Sequence, residues 1–215
     1  MEIEKQARSL GNIFIGIVLV FAGYLLLTFG VIRPIAQFWL VITGLIACQI
    51  AYGHPFALFK KMKFKDIGLI LGGVVSAFAI GYCYIFLSYL LNLSGNANPV
   101  THAPGLSTFL LFIPGLLGEE LLVLVPVSLV IHHLAQKGPV SKKAIIFIAL
   151  ISSFAFGALH LPTYQWNWIQ CLVAIGLIRV PFTYIYLKTK NILPAFLTHY
   201  VYDSIIIIIA ILINA

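Results

Sequence analysis

Charge is what this sequence has least of. Charged residues make up 9% of its 215 positions and acidic residues number six, where a soluble domain is about a quarter charged. With a hydrophobic fraction of 61% and a mean hydropathy of +1.06, a water-facing surface is excluded and lipid is the solvent the chain suits. Cysteine is scarce too. Cys48, Cys83 and Cys171 stand singly in apolar runs with no CxxC spacing. That excludes a disulfide framework and a thiolate zinc site, and leaves three small buried hydrophobes. The sequence has no internal repeat, no low-complexity segment and no nucleic-acid motif. Its net charge of +7 reflects membrane topology, because the basic residues fall in loops rather than along one face.

What is present is a series of apolar runs. Seven are long enough to span: Leu10 to Val31, Ile35 to Tyr52, Ile67 to Leu91, Leu106 to Ile131, Ala144 to Leu161, Trp166 to Leu187 and Ile192 to Leu212. Lys5 and Arg8 precede the first run as in a signal peptide, but ~20 apolar residues exceed an h-region and no small-x-small site follows. The first run therefore reads as a retained helix. The expected fold is an all-α polytopic membrane protein of about seven transmembrane helices, with a single integral-membrane domain over 1–215. The segment Asn92 to Pro104, rich in Asn, Gly and Pro, reads as a loop. Pro114 and Pro126 invite kinks in the fourth helix, and Gly68 and Gly72 make a small-xxx-small face on the third. Trp39, Trp166 and Trp168 near helix ends suit an interfacial belt, His132 and His133 suit snorkelling, and His54 and His102 fall in loops.

Eleven of the thirteen lysines and arginines lie at the N-terminus or in alternate loops: Lys5 and Arg8, the group from Lys60 to Lys65, Lys137 to Lys143, then Lys188 and Lys190. The positive-inside rule makes that side cytoplasmic, with the N-terminus inside and the C-terminus external. The expected location is a multi-pass protein of a bacterial cell membrane.

Two of the six acids, Glu119 and Glu120, stand side by side within the fourth apolar run. A charge at the centre of a membrane helix costs on the order of 2.5–3.5 kcal/mol on insertion scales. Adjacent helical positions point ~100° apart, so one partner cannot satisfy both. The other ionisable groups expected inside spans are His160, Arg179, His199 and Asp203, and His199 and Asp203 share a helix face at i and i+4. Embedded ionisable groups face each other or a wet cavity. Such a set suits a carboxylate base that activates water, with histidines that orient it, stabilise an oxyanion or join a carboxylate as zinc ligands. No serine or cysteine is placed as a nucleophile, so hydrolysis by activated water is the natural reaction. Counted along ideal helices from the cytoplasmic ends, His160 lies ~28 Å in, Glu119 ~20 Å and His199 ~13 Å, so tilt or offset must bring them level.

Glu119-Glu120, then Phe156-x-x-x-His160, then His199-x-x-x-Asp203, in that order, resembles the CPBP family of intramembrane peptidases. That family includes type II CAAX prenyl endopeptidases and bacterial proteins linked to bacteriocin self-immunity. The resemblance covers the motif-bearing core over 106–215. It implies an endopeptidase acting on a membrane-associated substrate (prenylated, leader or bacteriocin-like) that enters laterally from the bilayer. It implies Glu119 as the water-activating base with His160 as its partner, His199 as metal ligand or oxyanion stabiliser, and Glu120 and Asp203 in support. Where a divalent metal is bound, zinc on His160, His199 and Glu119 is the expected arrangement; a metal-free glutamate-water route is the alternative. The family's first motif ends in an arginine at the position where this chain has Leu124. Arg179, followed by Pro181, is expected to approach Glu120 or Asp203 and supply the missing charge. No nucleic acid is implied as partner, and the oligomeric state is left open. A silent relative acting by binding as an immunity or escort protein is one rival. A proton-coupled transporter is the other, against which stands the lack of an inverted repeat.

Overall fold

The computed structural model describes residues 10–98, 101 and 106–214; Lys5, Arg8, His102 and Ala215 lie outside the described residues. The helices are α1 (Leu10–Thr28), α2 (Trp39–Tyr52), α3 (Phe64–Leu90), α4 (Leu106–Gln136), α5 (Lys142–Leu159), α6 (Gly176–Thr189) and α7 (Ile192–Asn214). A 3-10 turn, Arg33–Phe38, leads into α2 and a π-helical turn, Gln170–Ile175, leads into α6. Seven helical segments are long and apolar enough to cross a membrane, and there is no strand among the described residues. The expected all-α polytopic fold is the observed one, and the chain is a multi-pass integral membrane protein.

Helix α4 is the axis. It packs on α1, α2, α5 and α7, while α3 packs on α6 and α7, and α5 on α6. Two glycines let α2 and α4 interlock. A Cβ on Gly118 would come 2.5 Å from the Leu40 Cβ, and one on Gly44 would come 2.7 Å from the Leu121 Cβ. With little hydrophobic drive between helices in lipid, such close backbone approach carries much of the association. Gly118→Ala is expected to destabilise by about 1–3 kcal/mol, as overpacking does, and to displace the turn that bears Glu119. A thermal unfolding midpoint in detergent equal to the parent's would show that α2 yields freely.

Several sequence expectations are corrected. Among the described residues nothing packs against Gly68 or Gly72, since a Cβ on either meets no atom within 4 Å; the close approach of α3 is at Gly73, against Ile185 and Thr198. Cys48 and Cys171 are buried as expected but Cys83 is exposed, because it lies on the outward side of α3. His132 does not snorkel: it is buried, edge-on to Tyr52, and 3.1 Å from the Gln136 amide. His160 is not inside the fifth span. Helix α5 stops at Leu159 and His160 caps it, because Pro162 restricts the residue before it and cannot continue a helical ladder. Trp166 lies in the following turn with φ 62, so the sixth span begins at Gln170. Helix α4 runs unbroken through Pro114 and Pro126 and past Ile131 to Gln136.

Those end positions remove the depth mismatch. Ending at Gln136, α4 places Glu119 ~26 Å from its lysine-side end, close to the ~27 Å that separates His160 from the start of α5. Helix α7 starts inside the protein. Ile192 is fully buried and its N–H donates to the Leu58 carbonyl. Asn191 meets the Lys60 backbone with two hydrogen bonds of 3.0 Å. The Lys60 loop thus folds over the start of α7, and His199 reaches the level of Glu120.

Candidate active site

The His160 corner is built by helix-end chemistry. The last carbonyls of a helix lack intrahelical partners. The His160 N–H turns to the Gly157 carbonyl, and the ring Nδ1 lies 3.0 Å from the carbonyl oxygen of Phe156 that this leaves open. A carbonyl only accepts, so Nδ1 carries the hydrogen and Nε2 keeps its lone pair. The Leu159 carbonyl is taken by the Tyr24 hydroxyl at 2.8 Å, which ties α1 to this corner. The π-helical turn backs it: a Cβ on Gly157 would strike the Cys171 carbonyl, so glycine there lets α5 lie against the turn.

At the same level α4 presents both carboxylates, and they part company as their angular separation requires. Glu120 is fully buried and paired with Arg179, whose two terminal nitrogens donate to its two oxygens at 2.5 and 2.8 Å. The guanidinium also lies 4.8 Å from the Phe156 ring centroid. A planar fork on a carboxylate, faced by an aromatic ring, is the arrangement arginine serves and lysine cannot. Leu124, where the family motif has its arginine, is fully buried in the apolar core. The compensating charge comes from α6 instead of from the next turn of α4.

Glu119 faces the other way. Its side chain is 27% exposed, and its Oε2 lies 3.9 Å from His199 Nε2. His199 joins the two carboxylates. Its Nδ1 lies 2.9 Å from Glu120 Oε1 and must carry the hydrogen, because a paired carboxylate only accepts. Nε2 is 3.6 Å from Asp203 Oδ2 on the same helix. Phe156 is the packing hub, with its ring centroid 4.6 Å from that of His160 and 6.3 Å from that of His199.

Glu119, His160, His199, Asp203 and Arg179 all line one cavity of about 730 Å³. Glu120 sits behind it, against Arg179 and His199. Among the described residues no group of three His, Cys, Asp or Glu side chains is arranged to hold a metal ion. His160 Nδ1 and His199 Nδ1 are committed to the Phe156 carbonyl and to Glu120, and the Nε2 of each keeps its lone pair. Tyr164, four residues after His160, also lines the cavity and was not singled out by sequence; its only signal was that spacing. Burial pushes its phenol above the usual range, with the Asp203 carboxylate adding to this, so it stands as an O–H donor.

Residues 100–205 match the family model of the type II CAAX prenyl endopeptidase Rce1-like proteins. The match takes in all three motifs and stops short of the first three helices. It bears out the CPBP resemblance over that stretch, and the family's members are generally proteases with a CAAX-type intramembrane fold. No curated protein and no solved structure matches the chain.

Proposed function

We propose, from the premise that the motif-bearing half of this chain belongs to the CPBP intramembrane peptidases, that it hydrolyses a peptide bond of a membrane-associated substrate with water activated by Glu119. The observation that carries the reading is the division of labour between the two carboxylates. Glu120 is neutralised by Arg179 at zero exposure, while Glu119 remains on the cavity wall beside His199. Of the two, Glu119 is the one free to exchange a proton.

In this mechanism a cavity water donates one hydrogen to the Glu119 carboxylate and the other to His160 Nε2. Its oxygen lone pair is thereby aimed at the scissile carbonyl carbon. As the C–O bond forms, the water's O–H bond toward Glu119 breaks and that proton passes to the carboxylate. The carbonyl π pair moves onto oxygen, and the Tyr164 hydroxyl donates to that developing charge. Collapse breaks the C–N bond, and the proton held by Glu119 passes to the leaving amine. His199, tied to Glu120 through Nδ1, keeps Glu119 and Asp203 in position. The one proton transferred is carried by Glu119, and the water's other hydrogen stays on the oxygen of the new carboxyl group.

The test is cleavage of an acylated fluorogenic peptide pool by the full-length protein in detergent. Activity is expected to survive a chelator. Loss on chelation with recovery on zinc addition would reassign His160 and His199 as ligands. A folded protein that captures peptides stoichiometrically and cleaves none would move the reading to the binding-protein rival.

A further inference from the structure

The peptidase reading leaves open from which side the substrate comes, and the cavity answers this by its position. Outside the α-helices its wall is made by Gln37, Asn98, His160, Thr163 and Tyr164, with Gln170 opening the next helical turn. All belong to the lysine-poor end of the bundle. Among the described residues, none from the loops at the lysine-rich end lines it. In that direction the site is sealed by Leu124, Val127 and Leu129 of α4, Ile185 and Tyr186 of α6 and Ile192 of α7, all 0–3% exposed.

The open end has a formed rim. The Gln170 amide holds both backbone groups of Asn96, at 2.8 and 2.7 Å. Asn96 Nδ2 donates to the Tyr164 carbonyl, and Asn167 Nδ2 to that of Ser94. Two of the three loops at this end, those joining α3 to α4 and α5 to α6, are therefore stitched together over the corner that bears His160. Beside them, α3 and α4 share no extended packing among the described residues. Their facing walls, Tyr84 and Ile85 on one side and Thr108, Leu111 and Phe112 on the other, leave a lateral mouth. Ile85 and Leu111 are 62% and 50% exposed, which suits contact with lipid. The Tyr84 hydroxyl on this wall is buried with no hydrogen-bond partner among the described residues, a group ready for a peptide backbone.

We propose that the substrate enters between α3 and α4 from the lysine-poor face, and that this face is extracytoplasmic by the charge asymmetry of the loops. The substrate class is then the outward segment of an exported or membrane-inserted peptide, with apolar residues against Leu111 and Phe112. A protein tail presented from the cytoplasm would meet the sealed end.

The test uses the full-length chain carrying Cys83→Ser, which removes the exposed native thiol, in right-side-out and inside-out membrane vesicles. A membrane-impermeant maleimide is expected to label Thr163→Cys only in right-side-out vesicles and Lys61→Cys only in inside-out ones. The acylated fluorogenic peptide pool is expected to be cleaved only when added to right-side-out vesicles. Labelling of Thr163→Cys from the inside, or from both sides equally, overturns the proposal whatever the activity. Cleavage confined to inside-out vesicles overturns the access side and keeps the peptidase. Absence of cleavage in both, with Thr163→Cys labelled from outside, overturns the peptidase reading and the substrate class that rests on it.

Discussion

Glu119→Gln is expected to lower the rate of peptide cleavage by ~10²–10⁴-fold, the usual cost of losing a general base, and to leave the fold intact. The amide keeps the shape and most of the hydrogen bonding of the carboxylate and removes only its capacity to take a proton. The side chain is 27% exposed and its nearest charged atom is 3.9 Å away, so no tight ion pair is broken. His160→Ala should fall in the same range for a different reason. The attacking water loses its second acceptor, and the Phe156 carbonyl loses the ring that caps it. The decisive measurement is the turnover of purified variants beside their thermal midpoints. A well-folded Glu119→Gln protein with the parent's activity removes the water-activation mechanism altogether.

The second large effect is on stability. Arg179→Met strands Glu120, a fully buried carboxylate whose two charge-assisted hydrogen bonds disappear. Breaking one side of a buried pair costs about 3–5 kcal/mol, so the variant is expected to unfold far below the parent's midpoint in detergent. Arg179→Lys should recover little, since a point ammonium cannot fork across both oxygens or cover the Phe156 ring as the guanidinium does. Glu120→Gln combined with Arg179→Met should be more stable than Arg179→Met alone, because no charge is then left in the core. A double variant no more stable than the single one would mean that the pair contributes through more than mutual neutralisation. Glu120→Gln by itself should damage folding before it touches chemistry, the reverse of what Glu119→Gln does, and that contrast separates the two adjacent carboxylates.

Much of this was legible from composition. Seven apolar runs of spanning length in a chain with 9% charge admit only helices as a way to satisfy the backbone in lipid. The same economy of charge singled out Glu119, Glu120, Arg179, His199 and Asp203, because each is too costly in a span to be incidental. The i, i+4 relation of His199 and Asp203 is a property of any helix and needed no fold. Helix ends were less legible. A hydropathy run does not register that Pro162 stops α5 at Leu159, or that the Lys60 loop covers the start of α7, and those two facts set the levels of His160 and His199.

Sequence by itself determined the solvent, the helix count and the identity of the embedded ionisable groups, since each follows from what one residue or one run costs in hydrocarbon. Tertiary structure decided which of two adjacent carboxylates is neutralised and which faces the cavity. Neighbours ~100° apart on a helix differ only in what packs against them, and that depended on α6 bringing Arg179 to Glu120 from 59 positions away. It also decided that the cavity opens at the lysine-poor end, because the seal at the other end is made by residues of α4, α6 and α7 that meet only when the bundle closes.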